Sequence, residues 1–166
     1  LITFPIFAKE FDKKTIYFLL SRKNRKDVFM AKYLIGLGVV LVVTTALSLL
    51  GPIAMNLTGY GVNFSGTLKA LLQQLVGVAF FYSLFTLLSV ISKDQVKPVV
   101  LGIILIIGLP IIGMIEAISW LNPYPFILAT TVIQNGTIDW IYLVALLAVT
   151  IALTAADYVL FKKKEL

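Results

Sequence analysis

The chain contains no histidine and no cysteine, and its eight acidic residues are scattered. That removes the commonest general base, the imidazole metal ligand, and any thiolate or disulfide chemistry. No serine, histidine and acid arrangement can exist, and no two carboxylates stand at a spacing that reads as an acid/base pair. A G-x-x-x-x-G-K-[ST] loop is absent, so phosphates cannot be cradled by that route. Gly36-Leu37-Gly38 lies inside an apolar run without the rest of a dinucleotide fingerprint and reads as packing. What remains is charge. Eight of the fourteen basic residues, Lys9, Lys13, Lys14, Arg22, Lys23, Arg25, Lys26 and Lys32, fall between Lys9 and Lys32. Such a chain is read as not an enzyme and as holding no cofactor or metal of its own; any energy it uses comes from a partner.

The basic segment cannot cross a bilayer, because each Lys or Arg at the centre of a spanning helix costs roughly 2.5 to 3.5 kcal/mol. It lies on one side and there meets either anionic lipid, at about 1 kcal/mol per charge, or a protein. The rest of the chain is mostly hydrocarbon: 60% of the residues are hydrophobic and 13% charged, the composition of an integral membrane protein. The net charge of +6 reads as topology and not as a nucleic-acid footprint, since no soluble basic face remains once the apolar runs are set aside.

The elements that position these charges are helices. Over the first 20 residues Phe4, Phe7, Ala8, Phe11, Thr15, Phe18 and Leu19 gather on one side of a helical wheel, with Lys9, Glu10, Lys13 and Tyr17 across from them. Ile16 and Leu20 interrupt the polar face, so a moderately amphipathic helix near the interface is expected. Asn24, with Asp27 in the first turn, marks the start of the next helix. Four spans are predicted, at about 33–55, 70–92, 98–115 and 140–161, within a single transmembrane domain over 1–166. Pro110, between Gly108 and Gly113, predicts a kink and a hinge candidate. Segment 116–139, broken by Asn122, Pro123 and Pro125, reads as short interfacial or re-entrant helices in an extracellular connection. The layout places every basic residue but Lys69 on one side, which makes that side, and both ends of this chain, cytoplasmic by the positive-inside rule.

Within the spans, no ionisable residue falls at a centre, which argues against proton-coupled transport. Glu116, Asp139 and Asp157 stand near span ends and read as solvated interface residues. Ala148, Ala152 and Ala156 form a small-residue stripe for close helix approach, within one subunit or between two. Phe80, Phe81, Tyr82 and Phe85 read as lipid or core contacts.

Glu10, Thr15, Leu19-Leu20-Ser21, the basic residues after them, and Lys32 at the foot of a long apolar helix resemble the cytoplasmic signature of ABC-2-type transporter permeases. That signature has an acidic residue, a Gly-Thr pair, Leu-Leu-Ser, a Pro and a basic residue ahead of the Lys that opens the third of six spans; here Lys14 replaces the Gly and Lys23 the Pro. The resemblance implies an all-α membrane fold matching spans three to six, with two further spans before Leu1. It implies a coupling helix before Leu20 whose Glu10, Lys13, Thr15 and Tyr17 contact a separate ATPase subunit, which binds the ATP. It also implies a second permease copy or paralogue in the cell membrane. The alternative reading of the same features is a small multi-span scaffold or assembly factor without transport activity.

Overall fold

The computed structural model describes residues 7–13, 15–16, 23–92 and 94–164, and these form helices and turns with no strand among them. Helix α1 is Ala8–Asp12. The next helices follow the pattern of the apolar runs: α2, Arg25–Leu57; α3, Phe64–Ile91; and, after a short polar hairpin, α4, Val96–Ile112. A 3-10 helix, Glu116–Leu121, and two short helices, α5 (Tyr124–Ile127) and α6 (Thr130–Asn135), lead into α7, Trp140–Lys163. Apolar surroundings leave the backbone no partner but itself, so long apolar runs become helices. By length and composition α2, α3 and α7 can each cross a membrane, and α4 is a shorter apolar helix of 17 residues. At ~1.5 Å per residue, the 33 residues of α2 reach about 50 Å, beyond a hydrocarbon layer of about 30 Å. The excess is long enough to hold Arg25, Lys26 and Lys32 outside such a layer.

Helix α3 is the centre of the molecule, touching α1, α2, α4, α5, α6 and α7. Its inward face is polar for a membrane helix, with Gln73, Ser83, Thr86 and Ser89 buried beside Val76, Gly77, Tyr82 and Val90. Gly77 is there because α5 crosses at that point: a Cβ would collide with the Ile127 side chain. Helix α2, by contrast, exposes Leu34, Ile35, Val39, Val42, Val43 and Leu47. One apolar cluster, Phe7, Ile16, Val28, Phe29, Tyr33, Tyr82, Val90 and Phe161, sits toward the end that carries the basic residues. A second, Val76, Phe126, Leu143 and Leu146, sits toward the other.

The helix ends show which signals acted. Asn24 stands at the N-cap of α2 but its side chain makes no capping bond. Asn63 accepts from the Gly66 amide (3.1 Å) and Asp139 from the Tyr142 amide (3.0 Å), capping α3 and α7. Helix α4 runs on through Pro110 to Ile112. Proline has no N–H to give to the carbonyl four residues back; the Tyr124 hydroxyl of α5 donates to that carbonyl, Ile106 O, at 3.0 Å.

The N-terminal segment departs from a single amphipathic wheel. Helix α1 closes at Lys13, and Ile16 is fully buried instead of interrupting a polar face. Phe7 and Ala8 are also fully buried, and the Phe7 ring lies 5.4 Å from Phe29 and 5.3 Å from Phe161. Of the apolar side of this segment, Phe7 and Ala8 are covered by protein, and Phe4, Phe18 and Leu19 lie outside the described residues.

Candidate functional site

At the basic end, α1 is held by two links of different kinds. Its first amides, Phe7 N and Ala8 N, both donate to Ser89 Oγ of α3, at 3.0 and 2.9 Å. Helix N-termini leave amides without intrahelical partners, and here the cap comes from another helix. The second link is an ion pair between Glu10 Oε1 and Lys32 Nζ of α2, with side chains 24% and 22% exposed. Two further cations close the same end. Arg25 Nη1 donates to the carbonyls of Lys162 (2.6 Å) and Lys164 (3.0 Å), at the negative end of the α7 dipole. Lys164 Nζ donates to Val90 O and Ser92 O, the last carbonyls of α3, and sits 3.7 Å from the centre of the Phe11 ring. Asp94, in the hairpin before α4, accepts from the Lys97 amide (2.9 Å) and pairs with its ammonium (3.1 Å). These bonds hold its carboxyl below the usual carboxylate range.

Of the residues expected at a partner surface, Lys13 and Thr15 are exposed, together with Lys9 and Asp12. Glu10 is turned inward onto Lys32. Tyr17 lies outside the described residues. A cavity of about 430 Å³ opens at the foot of α2, lined by Lys23, Asp27, Val28, Ala31 and Lys32. Pro110 is far from this end, in the last turn of α4. At its side of the molecule Gly113, Trp120, Asn122, Phe126, Thr131, Asp139 and Tyr142 line a cavity of about 320 Å³. It offers hydroxyl, amide and carboxylate groups beside aromatic faces. Burial pushes the Tyr124 phenol up from its ordinary value. Ser89, Arg25 and Lys164 are not singled out by sequence reasoning, because a serine in an apolar run and a lysine after one carry no local sign of a partner 70 or more residues away.

Between the two ends, α2, α3 and α7 meet through hydroxyl groups. Tyr33 Oη lies 2.7 Å from both Ser83 Oγ and Thr154 Oγ1, which are 3.3 Å from each other. The Tyr82 hydroxyl donates to Tyr33 O at 3.0 Å. One turn further along α7 stands Asp157. Its side chain is fully buried and neither carboxylate oxygen has a hydrogen-bond partner among the described residues. This corrects the expectation of a solvated interface residue: Asp157 falls on the stripe Leu143, Leu146, Thr150, Asp157, Phe161 that α7 turns inward. Glu116 and Asp139 are exposed, and so are Ala148, Ala152 and Ala156 on the opposite side of α7, so that stripe does not pack within the chain.

Three comparisons bear on identity. No curated protein and no solved structure matches the chain. A family model described as ABC-2 family transporter protein matches residues 1–166. The long apolar helices, the basic end and this match over the whole sequence agree, and the chain belongs to the ABC-2 transporter family.

Proposed function

We propose that this permease component works with a separate ATPase subunit, whose movement enters the membrane through α1 and the exposed residues around it. The carrying observation is that α1 is tied at once to α2, by Glu10 and Lys32, and to α3, by Ser89. A push on α1 therefore cannot stay local. Lys9, Asp12, Lys13 and Thr15 present an open, charged surface for a protein partner, and the cavity beside Lys23 and Lys32 gives that partner somewhere to insert. The reading places the basic end in the cytoplasm and the connection 116–139 outside, in the cell membrane. A second permease copy or a paralogue completes the assembly, meeting the exposed alanine stripe of α7. ATP is bound by the ATPase, and the substrate passes by reorientation of the helices.

The test exploits the pair. At about 4 Å and an effective dielectric near 20, two unit charges interact by about 4 kcal/mol; solvent access to both side chains and the cost of desolvating them lower the net value to about 1 to 2 kcal/mol. Glu10→Lys replaces attraction with repulsion and should lower permease-stimulated ATP hydrolysis in proteoliposomes at least tenfold. Lys32→Glu should do the same, and the double exchange Glu10→Lys with Lys32→Glu should restore most of it. If wild type brings down no ATPase on purification, the scaffold reading gains. If Glu10→Lys leaves both ATPase recovery and stimulated hydrolysis unchanged at equal membrane levels, α1 is a lipid flank and the coupling reading fails.

A further inference from the structure

Asp157 has no part in the contacts that tie α1 to the bundle, and its surroundings specify what it can bind. Nearby hydroxyl hydrogens on α3 and α7 are turned back to their own helices: Ser83 donates to Ala79 O (3.0 Å), Thr86 to Tyr82 O (2.8 Å), Thr150 to Leu146 O (2.7 Å) and Thr154 to Thr150 O (2.9 Å). Serine and threonine in helices commonly spend their proton this way. What such side chains then present to the seam between α3 and α7 is lone pairs. Around Tyr33 the shortage can be counted: three hydroxyls bring three hydrogens, while the contacts made by Tyr33, Ser83 and Thr154 to one another and to Ala79 O and Thr150 O number five. The junction of Tyr33, Ser83 and Thr154, one turn from Asp157, is short of hydrogens. An ionised carboxylate only accepts, and buried without a donor it meets a desolvation cost that nothing offsets. A protonated carboxyl is neutral and escapes most of that cost.

We propose that Asp157 is the binding site for an exchangeable proton, held in the α3–α7 seam and released when those helices part. The ionisable groups on the surrounding elements leave this site to Asp157: Glu10 of α1 is paired with Lys32 of α2, Lys164 beyond α7 is bonded to Val90 O and Ser92 O, Tyr82 of α3 donates to Tyr33 O, and Tyr33 of α2 lies on Ser83 and Thr154. Tyr158, next in sequence, packs its ring on Phe29. Asp157 lies six residues before Lys163, about 9 Å along the helix, so exchange takes place with the basic end. The proposal rests on helix packing alone and stands or falls independently of the ATPase reading.

The test is labelling with a membrane-soluble carbodiimide, on the full permease in membrane vesicles, read by mass spectrometry. A protonated carboxyl in an apolar site passes its proton to a carbodiimide nitrogen while its oxygen adds to the central carbon, and the adduct rearranges to a stable acylurea. A water-exposed side chain such as Glu116 or Asp139 is the internal negative control. Asp157 should be labelled, labelling should fall about tenfold per pH unit above its midpoint, and sodium in place of choline should not protect it. Thermal stability of wild type should fall as pH rises through that midpoint, because the native state holds a proton the unfolded chain gives up. Asp157→Asn, a neutral side chain of the same shape with hydrogens to donate, should lose that dependence. Absence of labelling at every pH overturns the proposal, and so does protection by sodium, which would put a metal cation in the seam. An Asn variant that keeps the wild-type pH dependence overturns it as well.

Discussion

Ser89→Ala should release α1 from the bundle while leaving the bundle itself intact. Ser89 Oγ is the acceptor for two amides, Phe7 N and Ala8 N, and all three residues are fully buried. Removing the oxygen takes away both bonds and leaves two donors without a partner. Each stranded buried donor costs about 1 to 3 kcal/mol, less whatever the segment regains by moving into water. The docking equilibrium should shift by about 2 to 4 kcal/mol, roughly 30- to 1000-fold. Removing a hydroxyl from α3 creates no large cavity, and its backbone ladder is unaffected, so the global melting temperature should move little. The measurement is hydrogen–deuterium exchange by mass spectrometry on the detergent-solubilised protein. Amides of residues 7–13 should lose protection by that factor, while those in the middle of α3 keep theirs. Ser89→Thr retains the oxygen and should behave nearly as wild type. If Ser89→Ala leaves the exchange of residues 7–13 unchanged, the aromatic packing of Phe7 on Phe29 and Phe161 holds α1 by itself, and the serine is not its anchor.

Two further changes test the opposite end. Gly77→Ala puts a methyl where the Ile127 side chain lies, which should cost about 1 to 3 kcal/mol by overpacking; thermal unfolding should show the loss, and adding Ile127→Ala should recover much of it. Tyr124→Phe strands the Ile106 carbonyl that Pro110 leaves open and should cost about 1 kcal/mol. In a Pro110→Ala background the restored backbone amide can serve that carbonyl, so the same tyrosine change should cost almost nothing. Additive losses across the four-member cycle would disconnect Tyr124 from Pro110.

The positions of the long helices and the sidedness of the charge are written in apolar run length and lysine placement, which act locally and need no partner. Glu10 and Lys32 are also legible as a signature, and the structure joins them. The cross-helix bonds are not legible. Ser89, Ser83, Thr150 and Thr154 look in sequence like the small polar residues any spanning helix tolerates, because their meaning comes from residues on other helices. Asp157 misleads for a related reason. Its distance from the lysines at 162–164 suggests its depth along the helix, but burial is set by azimuth, and Asp157 lies on the inward side. Pro110 is plain in sequence as a lost donor, while the group that answers the loss, Tyr124, sits in a connection whose fold the sequence leaves open.

In the function proposed above, the basic end and the seam lie on one mechanical path. In lipid there is little hydrophobic drive between helices, so what holds them is close packing and hydrogen bonds. The α3–α7 contact combines the apolar packing of Val76 on Leu143 and Leu146 with the hydroxyl contact of Ser83 and Thr154, and Asp157 is buried one turn beyond. Directional bonds of this kind break over a short displacement and reform in another register, which gives discrete arrangements instead of gradual deformation. Helix α1 grips the end of α3 at Ser89, only three residues beyond Thr86 and six beyond Ser83. A force on α1 thus acts along the helix whose bonds close the seam. The proton proposed at Asp157 is bound when the seam is shut, so it weights the closed arrangement by an amount that depends on pH.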